Sequence, residues 1–263
     1  MKVDISHLLE SWDYQPGQLA VRKFTGEDGV EKLQMRLDLG ILQMNSDGRP
    51  DGKLPMGFNS WFDFHADRLE KHKAEHDGSD ESFQLSGQEI TRLQQEAIQF
   101  HHRYICFYQL SEYDKVARDA ERNLKVFDFV DDYAETDELS WSLQQFRPQL
   151  IMMLTRAEGS LAVEAGDLEQ AMEVINEGLE ALKEFYIDFE RQDLLENSGE
   201  IHSLEQWLEE IDGSQGEPQA KPLAKKPESE IERLENQLKD AIVREDYERA
   251  AEVRDQIRRL KTS

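Results

Sequence analysis

The sequence predicts a mainly α-helical protein: an N-terminal β-hairpin region, a helical body with repeat-like helix pairs, and a tethered two-helix hairpin at the C-terminus. Three observations carry this. Apolar residues recur at steps of three and four through most of the chain after Ser60. Strict alternation is confined to the first 60 residues, and a Pro- and Gly-containing stretch sets residues 228–263 apart.

In residues 1–60, Gln18 to Thr25 and Val30 to Met44 are rich in Val, Leu, Ile and Met, with Glu27-Asp28-Gly29 as a turn signal between them. The second arm alternates as Leu33, Met35, Leu37 and Leu39, the period of a strand with one buried face. Asn45 to Gly52 must be a loop. Its glycines and Arg49 could cradle an anion, but no strand-to-helix phosphate-loop spacing accompanies them, and a surface turn is the simpler reading.

The helical body is read over 61–212. A cap at Ser60 and Asp63 opens it, with Trp61, Phe62, Phe64 and Leu69 as its apolar set, and Glu75 to Glu81 breaks it. Ser86 and Glu89 form a capping box, after which Ile90, Leu93, Ala97, Phe100, Tyr104 and Tyr108 mark one long amphipathic helix.

Residues 100–190 carry tetratricopeptide-like spacing. The clearer unit runs from Met152 to Lys183, where Gly159, Gly166, Leu168, Ala171, Ile175 and Leu179 fall where that repeat places small or apolar residues. A weaker unit has Phe107, Tyr113, Val116, Ala120 and Leu124, and the units lie 55 rather than 34 residues apart, so single helix pairs are expected instead of a regular array. Pro148 suits the first turn of a helix, and Ile201, Leu204, Trp207, Leu208 and Ile211 define a last short one. Residues 213–227 hold three prolines, two glycines and no aromatic residue, the composition of a disordered tether with a mean reach of roughly 20 Å.

Two segments follow the tether, Ile231-Leu234-Leu238-Ala241 and Ala250-Val253-Ile257-Leu260. Both step three, four, three, so each lines one helical face. A hairpin of this size rarely satisfies its own apolar surface, so it needs a partner surface. Leu234, Ala241, Glu245-Asp246-Tyr247-Glu248, Ala250-Ala251, Arg254-Asp255, Ile257 and Leu260 resemble the UVR motif, found at the C-terminus of UvrB and in the middle of UvrC, where it mediates contact between those proteins. It is similar also to parts of the protein-arginine-kinase activator and of Clp-type ATPase middle domains. The resemblance implies a partner-binding face of Leu234, Leu238, Ala241, Tyr247, Ala250, Ala251, Arg254, Asp255, Ile257 and Leu260. The implied partner is an excision-repair protein, a Clp-type ATPase or kinase complex, or a second copy in a homodimer.

Composition bounds the rest. With 56 acidic against 31 basic residues the net charge is -25, which disfavours direct nucleic-acid binding and anionic membranes. No stretch approaches the roughly 20 apolar residues of a membrane span. The N-terminus does not read as a signal peptide, so the cytoplasm is the expected location. There is no Walker phosphate loop, no helicase or nuclease signature and no set of zinc-binding cysteines, so neither enzymatic activity nor a cofactor is expected.

His65, His72 and His76, with Asp63 and Asp67, suggest a metal site less readily than a solvated charged helix. His101 and His102 should face different sides of their helix, one packed and one wet. Cys106 reads as a small core residue, and Asp131, Asp132 and Glu135 as a chance acidic cluster. The alternative to an adaptor is an enzyme or ligand-binding body in residues 1–212 that uses the hairpin only to dimerise.

Overall fold

The computed structural model describes residues 4–214; the partner-binding residues assigned to the C-terminal hairpin, Leu234 to Leu260, lie outside them. The described chain begins with a short helix α1 (Ser6–Glu10), followed by strands β1 (Ala20–Thr25), β2 (Glu31–Leu37) and β3 (Gly40–Asn45). Helices then dominate: α2 (Trp61–Glu75), α3 (Gly87–Gln109), α4 (Tyr113–Tyr133), α5 (Asp137–Gln144), α6 (Arg147–Glu164), α7 (Leu168–Asp188) and α8 (Gly199–Ser214).

The expected β-hairpin is a three-stranded antiparallel meander in the order β1-β2-β3. Its second arm folds back on itself, Leu37 pairing with Gly40 across the two-residue turn Asp38-Leu39. Leu33 and Met35 are buried as the alternation predicts, but Leu37 is exposed and Leu39, at the turn, is 95% exposed. A single arm from Val30 to Met44 would have far exceeded the usual strand of five or six residues.

The face opposite Leu33 and Met35 is covered too. Arg22, Gln34 and Gln43 lie side by side in register, Arg22 Nε donating to Gln34 Oε1 and Gln34 Nε2 to Gln43 Oε1, both at 2.7 Å. Trp12 and Tyr14 lie against the guanidinium groups of Arg22 and Arg36, at 4.0 and 4.6 Å.

The helix signals hold in detail. Ser60 Oγ accepts from the Asp63 amide at 2.9 Å, and the Ser86/Glu89 capping box is formed. Helix α2 stops at Glu75, followed by Asp77 and Gly78 at positive φ. The buried face of α3 includes Ile90, Leu93, Ala97, Phe100 and Tyr104.

Helices α6 and α7 are joined by Ala165-Gly166-Asp167. Gly166 takes φ +78°, and Asp167 caps α7 by accepting from Gln170 N at 3.0 Å. A Cβ at Gly178 would lie 2.1 Å from Thr155 Oγ1, so this glycine lets α7 approach α6. Gly159 does the same for Trp207 of α8. The long interval between the two helix pairs holds α5, an element absent from the sequence reading and capped by Thr136. Helix α8 buries Ile201, Leu204, Trp207 and Ile211 and runs to Ser214, so Gly213 and Ser214 belong to it rather than to the tether expected over 213–227.

Candidate functional site

Two concave sites flank α3. The first is a polar cleft of about 470 Å³ between the loop after β3, the start of α2, and α3 and α4. Its centre is Arg103, 1% exposed, which donates from Nε and Nη2 to the two Asp119 oxygens at 2.6 and 2.8 Å. Its Nη1 donates to the Gly48 and Asn45 carbonyls at 2.6 and 3.2 Å. Arg118 joins the same carboxylate at 3.0 Å and reaches Asp47 at 2.6 Å.

Beside this pair, the fully buried Glu96 accepts from the backbone of Trp61 and Phe62 at 2.8 and 3.3 Å, placing a carboxylate at the start of α2. Glu96 also pairs with Arg122, and Arg49 Nε lies 3.4 Å from it and 3.0 Å from Asp51, within ion-pair range but without hydrogen-bond alignment. Four guanidinium groups thus meet four carboxylates: Arg49, Arg103, Arg118 and Arg122 against Asp47, Asp51, Glu96 and Asp119. With no surplus of positive charge the cluster is a poor anion receptor and a good clamp, locking the loop to both helices. The anion-cradle reading of Gly48 to Gly52 fails for that reason, since Arg49 is already paired.

The second site is a cavity of about 330 Å³ between α3, α4 and the α5–α6 corner. Ala97, Tyr104, Leu143 and Leu150 are buried in its wall, and Ile98 and Phe146 are exposed at 47% and 49%. Both His101 and His102 line it and both are half-buried, which corrects the expectation of one packed and one wet ring. His101 Nδ1 is 2.7 Å from the Tyr104 hydroxyl. Burial holds the His101 pKa down to about 4, with His102 adding to the effect, and lowers that of His102, so both rings are neutral near pH 7.

The other candidates resolve individually. His65 is fully buried, contrary to the solvated-helix reading, and packs against Trp61 and Phe64. His72 and His76 stack on each other with ring centroids 4.0 Å apart, and His72 Nε2 is 3.1 Å from Ser82 Oγ. No cluster of three metal-ligating side chains occurs among the described residues. Cys106 is fully buried, and burial pushes its thiol up to about 12, which makes it inert as a nucleophile. Asp131 accepts a hydrogen bond from Ser140, and burial first, then the Asp131 and Asp128 charges, raises the Asp132 pKa.

Acid sensitivity follows from the buried imidazoles. The His65 pKa falls from 6.5 to about 4, chiefly by burial. Between those values the unfolded chain binds more protons than the folded one, so stability drops as pH falls through that window. Going from pH 7 to 5 should remove on the order of 1–2 kcal/mol for a fully desolvated imidazole, and less where water reaches the ring. His65→Leu should reduce the difference in urea midpoint between these pH values; an unchanged difference would discount His65.

The residues beyond α8 are placed by comparison with known families. The family model described as the UvrB/uvrC motif matches residues 228–263. The C-terminal segment carries a UVR motif. The matched UVR stretch contains all ten partner-face residues expected from the sequence. A second model, Domain of unknown function (DUF7700), matches residues 60–184, from the α2 cap through most of α7. It therefore covers the whole lining of the apolar cavity, while Gly48 and Arg49 of the polar cleft lie before it. No curated protein and no solved structure matches the chain. Among the described residues no helix is long and apolar enough to cross a membrane.

Proposed function

We propose that the chain is a non-catalytic adaptor that docks on another protein through its UVR segment, with the helical body as the part it presents. The observation that carries this is the UVR match over 228–263, which coincides with two short segments of matched apolar faces. A surface so small buries too little by itself, and association supplies the missing area. The partner class is an excision-repair protein of the UvrB or UvrC kind, a Clp-type ATPase or protein-arginine-kinase complex, or a second copy of the chain. The net charge of -25 argues for a protein partner over direct contact with nucleic acid, and the cytoplasm is the corresponding location.

Affinity capture from cell extract tests the proposal by comparing the full chain with one that stops after Gln215. A specific partner should be recovered with the full chain and lost with the shorter one. Light scattering on the same two chains separates self-association from a second protein. Equal recovery of one partner by both chains would move the docking surface to the body. A reading in which the body binds a ligand and the UVR segment only dimerises draws its support from the apolar cavity.

A further inference from the structure

A third of this chain is charged, yet none of the twelve residues lining the α3/α4/α5–α6 cavity carries an ionised side chain near pH 7. The twelve combine apolar wall residues with three amides, two neutral imidazoles and a tyrosine hydroxyl. Its volume of about 330 Å³ falls within the range of small-molecule sites. The two neutral imidazoles each offer hydrogen-bonding nitrogens at the cavity wall. His101 Nδ1 is engaged by the Tyr104 hydroxyl at 2.7 Å, which leaves Nε2 as the second polar atom of that ring. Burial keeps the His102 ring neutral, so it too carries one donor and one acceptor nitrogen.

Two large apolar side chains, Ile98 and Phe146, stand about half exposed beside the cavity. Asn123 is fixed in the wall by donating to the Ala97 carbonyl at 3.0 Å, and Gln94 by donating to the Ser142 carbonyl at 3.2 Å. The wall is therefore held by its own hydrogen bonds and needs no ligand to order it. A charged ligand would be desolvated there without a counter-ion, whereas a neutral apolar one loses little.

We infer that this cavity binds a neutral, largely apolar small molecule bearing one or two hydrogen-bonding groups, with His101 and His102 as its polar contacts. The inference is independent of docking through the UVR segment, and its failure would leave that proposal standing.

Calorimetric titration of the full-length protein at pH 7 tests it with 2-naphthol and indole as neutral probes, 2-naphthoate as the charged analogue of the first, and N-acetyltryptophanamide as a mimic of a partner's side chain. At least one neutral probe should bind with Kd on the order of 0.1 mM, a modest efficiency for so small a ligand. The carboxylate should bind at least about tenfold more weakly than 2-naphthol. Ile98→Trp, which narrows the mouth, or Phe146→Ala, which removes part of its wall, should weaken the bound probe by about fivefold or more. Both side chains are half exposed, so the fold should persist, and thermal unfolding checks that it does. Failure of both neutral probes to bind below about 1 mM would overturn the inference. Equal binding of 2-naphthoate, unchanged affinity in both variants, or N-acetyltryptophanamide binding tighter than indole would overturn it as well, the last by assigning the cavity to a side chain of another protein.

Discussion

Replacing Arg103 by Met should destabilise the protein by about 3–5 kcal/mol, the largest effect expected of any single substitution in the body. The side chain is 1% exposed and satisfies two sets of groups at once, the Asp119 carboxylate and the Asn45 and Gly48 carbonyls. Removing it leaves a buried carboxylate with the partly exposed Arg118 as its remaining ion-pair partner, and two carbonyls without their donor. The double variant Arg103→Met, Asp119→Leu should recover much of the loss, since a buried pair exchanged for apolar groups is often close to neutral. Urea denaturation of the single and double variants checks both. A single variant within about 1 kcal/mol of the parent would mean that the pair is not the clamp its geometry describes.

The second large effect concerns docking. Changing Ala250 to Arg and Ala251 to Glu places two bulky charged side chains on the partner-binding face that the resemblance implies, and partner recovery should fall by at least about tenfold. Thermal unfolding of the body should not move. Recovery unchanged by the double substitution would remove these alanines from the docking face.

The legible parts of the fold are those written in short-range chemistry. The Ser60 cap, the Ser86/Glu89 box and the 201-204-207-211 face of α8 depend on residues within about three helical turns, and all three are present as read. The turn at Asp38-Leu39 was hidden by alternation that runs on through Leu37 and Leu39 as if one strand continued. His65 was hidden by its charged neighbours, although Trp61, His65 and Leu69, spaced four apart, trace the buried face of α2.

Arg103 could not be read as buried, because its partners come from 16 residues away on α4 and from a loop more than 50 residues upstream. Of the glycines read from the tetratricopeptide-like spacing, Gly159 marks a close approach, to Trp207, whereas Gly166 has open space around it and serves the turn through its positive φ. The spacing missed Gly178, whose need for smallness is set by Thr155 on the neighbouring helix. The apolar cavity has no local signature at all, since α3, α4 and the α5–α6 corner together enclose it. For the C-terminal segment the order is reversed: its motif is legible from sequence, and the described residues end before it.

Sufficiency of that segment is the most direct test of the adaptor reading. Residues 216–263, which include the UVR segment, can be fused to an unrelated carrier protein and used for affinity capture beside the full chain. The account predicts that the carrier acquires the partner recovered with the full chain, and that Ala250→Arg with Ala251→Glu in the fusion abolishes the gain. A carrier that recovers nothing while the full chain recovers its partner would contradict docking through the UVR segment.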